Sequence, residues 1–242
     1  MKPIYKPKGA AAEYSEFALN IYTGCPHGCF YCYCPNVIHK DRERFHEIVE
    51  QRTDIVEATK RQIEREGITG KTIHLCFVGD PYPYKHDSSV TREIIGILKH
   101  YGNHVQILTK NGHDAKRDFD LLDSDDWFGI TWAGYEDADF MNDMSPSTEP
   151  GAGTLIGRLL ALQYAAIRGI KTWISFEPVL NAKSVMDMIE VCDYVDLIKI
   201  GKLNYHPSSI DWKQFGYDVE ELCKKLGRNY YIKDSLRKEM ER

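Results

Sequence analysis

Long apolar runs are missing from this 242-residue sequence, and no hydrophobic segment approaches the roughly 20 residues that a helix needs to cross a bilayer. Residues 1–8 are basic and contain two prolines, but they lack the apolar core of a secretory signal. Internal repeats and low-complexity stretches are missing as well. We therefore expect a cytoplasmic protein that makes no contact with a membrane.

A strong net charge is also missing, since the formal charge is −5 at pH 7. Such a balance provides no overall electrostatic attraction for nucleic acid, but it does not exclude a local basic patch. Hydrophobic residues make up 43% of the chain and charged residues 28%, which is ordinary for a globular protein with a buried core. The length suits one domain over residues 1–242.

The seven cysteines are an odd number, and a disulfide framework is not expected in a cytosolic protein. Clustered cysteines in such a protein are more often metal ligands or redox groups. No second C-x-x-C group follows Cys34, so we expect no auxiliary cluster. Cys76, Cys192 and Cys223 lie in apolar segments and are expected to be small buried side chains.

Three of the cysteines form the compact pattern Cys25-x3-Cys29-x2-Cys32, directly after an apolar segment. Three thiolates this close in sequence can hold one metal centre within a single loop. A 4Fe–4S cluster normally takes four cysteine ligands, so three would leave one iron open to another ligand. The spacing therefore favours a cluster with a vacant coordination position.

Apolar segments alternate with helical patterns along the whole chain, which predicts βαβ units and a parallel sheet. Predicted strands cover residues 17–22, 72–78, 104–109, 127–133, 171–176, 194–200 and 229–232. Predicted helices cover residues 43–66, 89–101, 115–122, 154–168, 182–191, 212–226 and 235–241, with an irregular segment before Gly153. Six strand–helix units are too few for a closed eight-fold barrel.

The cysteine pattern, with Tyr31 before its last cysteine, resembles the radical S-adenosylmethionine (SAM) superfamily, and the run from Gly24 to Tyr33 resembles its spore photoproduct lyase-like (DNA repair photolyase-like) branch. The resemblance implies an α/β fold, a partial (β/α)6 TIM-like barrel with its core at about residues 17–201 and a C-terminal extension at about 202–242. It also implies a 4Fe–4S cluster held by Cys25, Cys29 and Cys32. SAM would chelate the fourth iron, and reductive cleavage would yield a 5′-deoxyadenosyl radical that abstracts hydrogen from a substrate.

Polar residues recur at the carboxyl ends of the predicted strands, where α/β folds gather their functional groups. The resemblance assigns Asp80 to the SAM ammonium, Lys110 to its carboxylate and Thr131 to its ribose. The alternatives are a turn residue before proline, a strand-end lysine in solvent, and an ordinary strand residue. Arg158 matches a carboxylate-binding position but could equally belong to a solvated helix face.

Aromatic and thiol groups beside the triplet are the candidates for later steps. Tyr31 is expected against the adenine, because a ring gives contact area at small entropic cost. The resemblance implies that Tyr33 relays a hydrogen atom near the substrate. Cys34 is a candidate hydrogen-atom donor, a ligand to another metal form, or an inert buried thiol.

One position departs from the lyase pattern. The lyase branch carries a hydrogen-donating cysteine on the second strand, and the alignment on the turn at Gly79 puts Phe77 there, with Cys76 beside it. Neighbouring strand residues face opposite sides, so Cys76 is expected to point away from the site. This mismatch argues against simple reversal of a DNA photoproduct.

The substrate is suggested only broadly. Glu177 and Lys202 lie at rim positions and are hypothesised to face it, and the resemblance points to a nucleobase or nucleic acid. Basic and aromatic residues near the rim could stack on a nucleotide, or could be an ordinary mixed surface: Tyr82, Tyr84, Lys85, His86, Lys202, Tyr205 and His206.

Two other functional classes remain as alternatives. Cys25, Cys29, Cys32 and Cys34 could hold zinc, but four thiolates within ten residues would be cramped compared with usual structural sites. A cluster-binding scaffold or sensor without radical chemistry is the second alternative. The leading interpretation is a radical SAM enzyme, lyase or modification type, that takes electrons from a flavodoxin- or ferredoxin-type protein.

Overall fold

The computed structural model describes residues 2–135 and 145–242 of the chain. Its strands are β1 (Ile4–Tyr5), β2 (Phe17–Leu19), β3 (Tyr22–Thr23), β4 (Glu50–Gln51), β5 (Thr72–Leu75), β6 (His104–Thr109), β7 (Trp127–Thr131), β8 (Lys171–Phe176), β9 (Leu197–Ile200) and β10 (Tyr230–Ile232). Its α-helices are α1 (Cys34–Val37), α2 (Arg42–Glu47), α3 (Ile55–Glu66), α4 (Ser89–His100), α5 (Gly112–Ala115), α6 (Leu155–Ile167), α7 (Ala182–Val191), α8 (Trp212–Lys225) and α9 (Asp234–Met240). Short 3-10 segments cover Gly9–Glu13 and Lys116–Leu121.

Across the described residues, eight strands form one sheet in the order β1-β2-β5-β6-β7-β8-β9-β10. β1 pairs antiparallel with β2, and the other neighbours in this sheet pair in parallel. The sheet is open, with β1 and β10 as its edges. The α/β fold of a partial barrel is therefore confirmed, and β10, which is predicted at residues 229–232, extends the sheet by one parallel strand beyond the six strand–helix units.

The strands read as nearly continuous apolar runs because helices cover one face of the sheet and side chains fill the other. Phe128 and Ile130 of β7 are fully buried. Between them, Gly129 leaves room for the indole of Trp173, since a Cβ there would lie 2.3 Å from Nε1 of Trp173. That Nε1 donates to the carbonyl of Ile107 at 2.9 Å. A tryptophan thereby forms one wall of the barrel interior.

The predicted helix over residues 43–66 is wrong, because the structure divides this segment into α2, β4 and α3. Glu50 and Gln51 pair with Thr23 and Tyr22 in a small antiparallel ladder. Asp54, with φ of +52°, then turns the chain into α3, which ends at Glu66 as predicted and is followed by Gly67. The interruption serves the cysteine loop, since the carbonyl of Phe45 accepts the N–H of Cys25 at 3.0 Å.

Three predicted strands are too long at their carboxyl ends. β2 stops at Leu19 instead of residue 22, and β7 stops at Thr131. The strand predicted to reach residue 78 stops at Leu75 because Cys76 has φ of +66°. The Sγ of Cys76 accepts the N–H of Ile21 at 3.4 Å, within the main hydrophobic core. Cys76 thus lies in the core rather than in the cysteine loop, as expected.

The segment between β1 and β2, here called the N-terminal strap (residues 9–14), crosses the open side of the barrel. β1 belongs to one edge of the sheet, yet the Glu13 carboxylate accepts the Tyr231 hydroxyl at 3.2 Å and the Asp234 N–H at 2.9 Å beside the opposite edge strand. The strap brings Tyr14 against Trp173, with ring centroids 5.8 Å apart. Among the described helices, none is long and apolar enough to span a membrane.

Candidate functional site

The cysteine loop (residues 24–33) lies between β3 and α1, at the carboxyl end of the sheet. Cys25 and Cys29 are buried and Cys32 is half-buried. The N–H of Cys32 donates to the carbonyl of Cys29 at 3.0 Å. Gly24 has φ of +95°, and a Cβ there would lie 2.0 Å from the carbonyl oxygen of Ile48. Glycine is therefore required where the chain enters the loop.

Two side chains of α2 hold the backbone of this loop. The Arg42 guanidinium donates to the carbonyls of Cys29 and Phe30, both at 2.6 Å, and to that of Cys32 at 3.0 Å. His46 Nδ1 lies 2.8 Å from the carbonyl of Cys25. These contacts fix the loop through its carbonyl groups, and the thiols are not part of them.

The donor set fits a multi-iron cluster. None of the three cysteines is in a disulfide. Burial raises the pKa of Cys29 to about 12 and that of Cys25 well above its usual range, whereas interactions with Cys34 and His46 lower the pKa of Cys32 to about 4. A bound metal replaces such protons.

A second segment, residues 148–153, supports the loop from the other side. The N–H of Phe30 donates to the carbonyl of Thr148 at 3.2 Å, and the N–H of Gly151 donates to the carbonyl of His27 at 2.9 Å. A Cβ on Gly151 would lie 1.9 Å from the carbonyl oxygen of Pro26. The chain after β7 therefore packs directly against the cysteine loop.

Glu149 is the charged centre of this contact. Its carboxylate is fully buried and accepts the hydroxyls of Tyr31 and Tyr135, the latter at 2.9 Å. It also pairs with Arg158 Nη2 at 2.5 Å. Burial opposes ionisation of Glu149, but the neighbouring cations Arg158 and Lys110 outweigh it and lower the pKa of this carboxyl. An ionised carboxylate is thus fixed at the hydroxyl of Tyr31.

Arg158 itself is fully buried at the start of α6, so the alternative of a solvated helix face is wrong. Its N–H groups donate to Glu149 and Tyr135, and to the main-chain carbonyls of three strand-end and loop residues, Lys110, Thr131 and Gly153. A guanidinium has five N–H donors, and these partners occupy all of them. Direct binding of a ligand carboxylate by Arg158 stays a prediction. It requires the ligand to replace one of these hydrogen-bond partners.

Asp80 follows β5 and is buried. Its Oδ1 accepts the Thr109 hydroxyl at 2.6 Å and the Tyr82 N–H at 2.8 Å, while Oδ2 accepts the Lys110 N–H at 2.9 Å. His27 Nδ1 lies 3.7 Å from Oδ2. Asp80 therefore joins the ends of β5 and β6 to the cysteine loop.

Lys110 and Tyr31 lie together beside the loop. The Lys110 ammonium is 5.6 Å from the centroid of the Tyr31 ring. Burial alone would lower the pKa of Lys110, but electrostatic interaction with Cys29 and with the Glu149 carboxylate outweighs it, so the pKa is raised. A permanent cation thus lies over an aromatic ring at this edge. Thr131 is buried at the end of β7.

Tyr33 and Cys34 face the turn after β5. The Tyr33 hydroxyl donates to the carbonyl of Phe77 at 3.1 Å, and Cys34 Sγ donates to the same oxygen at 3.4 Å. Tyr33 is 45% exposed, whereas Cys34 is 7% exposed. The interaction with Cys32, followed by burial, raises the pKa of Cys34 well above its usual range. The structure therefore brings both residues to the Phe77 position.

Glu177 lies at the end of β8, before a cis peptide bond to Pro178. Its carboxylate accepts the Tyr14 hydroxyl at 2.9 Å and pairs with the buried ammonium of Lys233. The side-chain amide of Asn204 donates to its other oxygen at 3.3 Å. Glu177 thus belongs to a polar cluster in the barrel interior.

The rim residues are not all available for binding. The suggestion that Tyr82 stacks on a nucleotide is wrong, since its side chain is fully buried. Lys202 pairs with Glu239 of α9 at 2.5 Å. Tyr205 is 91% exposed, and His206 packs edge-on against Phe30, with centroids 5.2 Å apart.

Sequence reasoning missed Glu149, Arg42, Tyr14 and Lys233. Arg42 lies shortly after the cysteine motif, at the start of α2, but no pattern in the sequence assigns it to the loop carbonyls. Glu149 lies in the irregular segment before Gly153, far from the cysteines along the sequence. Tyr14 and Lys233 come from the N-terminal strap and from the residue after β10, outside the expected core. No local pattern in the sequence indicates that the two meet at Glu177.

Comparisons with solved structures show which known folds this chain resembles. A spore photoproduct lyase variant with bound AdoMet and dinucleoside spore photoproduct is 14% identical, with a TM-score of 0.64 and coverage of 95% of this chain and 78% of that one. Spore photoproduct lyase complexed with dinucleoside spore photoproduct is also 14% identical, with a TM-score of 0.67 and coverage of 94% and 79%. The radical SAM methyltransferase TsrM from Kitasatospora setae, with cobalamin and a 4Fe–4S cluster bound, is 13% identical, with a TM-score of 0.53 and coverage of 84% and 40%.

No curated protein sequence matches this one. At the identities given, the likeness to solved structures establishes the fold alone. The family model of the radical SAM superfamily, however, matches residues 19–195, which is well over half of the sequence and includes the cysteine loop. The chain therefore belongs to the radical SAM superfamily of enzymes, whose cofactors are a 4Fe–4S cluster and SAM.

Proposed function

We propose that this radical SAM enzyme abstracts a hydrogen atom from a nucleobase or nucleic acid, in a repair or modification reaction. The observation that carries the proposal is the cysteine loop, whose backbone is held by Arg42 and His46 and whose three cysteines are not in disulfides. When bound, the cluster and SAM supply a 5′-deoxyadenosyl radical by one-electron reduction of the sulfonium. The protein's own part is to bind, orient and enclose these groups.

Cys25, Cys29 and Cys32 are the proposed cluster ligands. Three thiolates leave one iron for the amino and carboxylate groups of SAM. Because the loop is anchored through Arg42 and His46, the thiols need not reorganise the fold to reach the irons. A rigid supporting shell of this kind orients metal ligands.

Lys110 and Tyr31 are the proposed partners of bound SAM. The raised pKa of Lys110 keeps it charged, as an ammonium that pairs with the SAM carboxylate must be. Tyr31 provides an aromatic face for the adenine, and its hydroxyl is fixed by Glu149. The Lys110 ammonium lies 5.6 Å from the centroid of that ring, which supports the proposal that the two residues contact the same ligand.

Asp80, Thr131 and Arg158 complete the proposed cofactor site. A carboxylate has about four acceptor positions, and Asp80 uses three of them, so one remains for the SAM ammonium. Thr131 is proposed near the ribose. Arg158 acts as a positioning residue, because it links the carbonyls of Thr131 and Lys110 to Glu149.

Tyr33, Cys34 and Glu177 are proposed on the substrate side. Tyr33 would relay a hydrogen atom, with Cys34 as the thiol next to it. Phe77 stands where a donor cysteine is expected for photoproduct reversal, so another donor has to quench the product radical. The resemblance to the lyase branch supports a nucleic-acid substrate, while Phe77 supports a different reaction.

Like other members of the superfamily, the enzyme needs an electron donor. A cytoplasmic flavodoxin- or ferredoxin-type protein is the proposed one.

The test is a reductive SAM assay with site-specifically deuterated nucleosides and oligonucleotides, in which mass spectrometry follows deuterium into 5′-deoxyadenosine. Transfer from one substrate class is the expected result. Glu177→Gln should lower turnover of that substrate, whereas Glu190→Gln, an exposed change on α7, should not. Absence of transfer from every nucleic-acid substrate, with SAM still cleaved, would refute this substrate class.

A further inference from the structure

Two buried lysines lie in the barrel interior on the last two strands of the sheet. Lys199 of β9 is 7% exposed, and Lys233, directly after β10, is 1% exposed. Their ammonium nitrogens lie 5.0 Å and 4.2 Å from the centroid of the Tyr14 ring. Two cations this close to one ring repel each other in a poorly solvated space.

The acceptors around these lysines are too few. Lys199 Nζ donates to the neutral carbonyls of Glu13 at 2.7 Å and Tyr14 at 3.2 Å, and Lys233 Nζ donates to the Glu177 carboxylate. Each ammonium has three N–H donors. Among the described residues, one N–H of Lys199 and two of Lys233 therefore have no oxygen or nitrogen acceptor, and both ammonium groups face aromatic rings.

The positive charge of the two lysines is likewise only partly balanced. Glu177 is the one carboxylate, among the described residues, that contacts either ammonium directly. The Glu13 carboxylate instead accepts the Tyr231 hydroxyl and the Asp234 N–H. Burial, and then the charge of Lys233, lowers the pKa of Lys199 to about 8. Lys199 is therefore a buried cation whose neighbours are carbonyls and aromatic rings rather than a carboxylate, and burial of an unpaired cation is costly.

A third polar group lies in the same interior without a partner. His74 is 1% exposed, and its Nδ1 is buried with no hydrogen bond in the described part of the chain. Its ring stacks on Phe77 at 4.2 Å between centroids and lies 6.0 Å from that of Tyr14. Since Tyr33 donates to the carbonyl of Phe77, these groups adjoin the cysteine loop.

We propose that Lys199 and Lys233 form an oxyanion-binding subsite that receives a phosphate or carboxylate group of the substrate. The inference rests on the proposed function and narrows it to substrates with such a group. An oxyanion provides both missing elements, the acceptors for the free N–H groups and the balancing negative charge. Tyr14 and Trp173 supply aromatic walls for the rest of the molecule.

The test measures anion binding by isothermal titration calorimetry. The enzyme is reconstituted with its cluster and saturated with SAM, so that the SAM carboxylate site is already filled. Inorganic phosphate and acetate are titrated separately, with chloride at equal ionic strength as the reference. Phosphate binding alone identifies a phosphate subsite, and acetate binding alone identifies a carboxylate subsite.

Saturable binding to the wild-type enzyme is expected, weakened at least ten-fold by Lys199→Met or Lys233→Met. Glu177→Gln should tighten it, because this change removes the competing carboxylate, a direction that a merely structural role would not produce. Lys60→Met, an exposed change on α3, is the matched control and should have no effect. If either methionine variant does not fold, the corresponding Lys→Arg variant, which keeps the charge, should bind as the wild type does.

No saturable binding to the wild-type enzyme would overturn the subsite, as would equal affinities in Lys199→Met, Lys233→Met and Lys60→Met. Reductive SAM cleavage is measured on the same preparation. Cleavage without anion binding refutes the subsite alone, whereas anion binding without cleavage refutes the proposed function alone.

Discussion

Replacing Arg158 with methionine tests the network that supports the proposed SAM site. The change removes the ion pair to Glu149 at 2.5 Å and every other hydrogen bond that the guanidinium makes, and it leaves a fully buried carboxylate without its cation. Breaking a buried ion pair in this way costs about 3–5 kcal/mol. In a chain of this length, that corresponds to a fall in melting temperature of roughly 6–20 °C.

The assay is thermal unfolding followed by circular dichroism, with Arg65→Met as the control, since its partner Glu66 forms an exposed pair on α3. The double variant Arg158→Met/Glu149→Gln should melt higher than Arg158→Met alone, because the unpaired charge is then gone. A fall no larger than that of the control would refute the reasoning, and so would a double variant that melts lower than the single one.

Two further predictions concern the cysteines and the interior lysine. Changing any one of the three loop cysteines to alanine should abolish cluster assembly, whereas Cys223→Ala in the hydrophobic core should keep it. Iron and sulfide analysis after anaerobic reconstitution measures the cluster content. Full cluster content in a loop variant would contradict the assignment of Cys25, Cys29 and Cys32. Because the pKa of Lys199 is about 8 in the folded state and about 10.4 when unfolded, the unfolded state binds more protons between these values and stability should rise with pH there. Lys199→Met should remove that part of the rise in urea-unfolding midpoints between pH 7.5 and 10, and identical pH profiles would show that Lys199 is not strained by burial beside Lys233.

Part of the site could be predicted because its signal is local. The three cysteines lie within eight residues, and the strand ends at Asp80, Lys110 and Thr131 follow from the alternation of strand and helix. The buried state of Arg158 could not be predicted, because its partner Glu149 lies in an irregular segment without periodicity. A contact between Tyr14 and Lys233 depends on how the two edges of the sheet approach each other, which no local pattern contains.

The secondary structure likewise contains elements that the sequence predicts and elements that it does not. Long periodic elements such as α4, α6 and β8 were predicted nearly to the residue, because their hydrophobic faces pack against the sheet. Residues 43–66 were predicted as one helix because Ile48, Ile55 and Ile63 have helical spacing. In the structure, pairing of β4 with β3 overrides this pattern, since the segment must cover the cysteine loop. The hydrophobic periodicity of one segment does not predict tertiary contacts of this kind.

The central claim is that the cysteine loop supports radical SAM chemistry, and reductive cleavage of SAM tests it most directly. The anaerobically reconstituted protein is reduced with dithionite, and 5′-deoxyadenosine is quantified by liquid chromatography and mass spectrometry. The account predicts a brown 4Fe–4S protein that forms 5′-deoxyadenosine, and loss of this product in Cys29→Ala. A colourless zinc protein, or a cluster-loaded protein that leaves SAM intact, would contradict it.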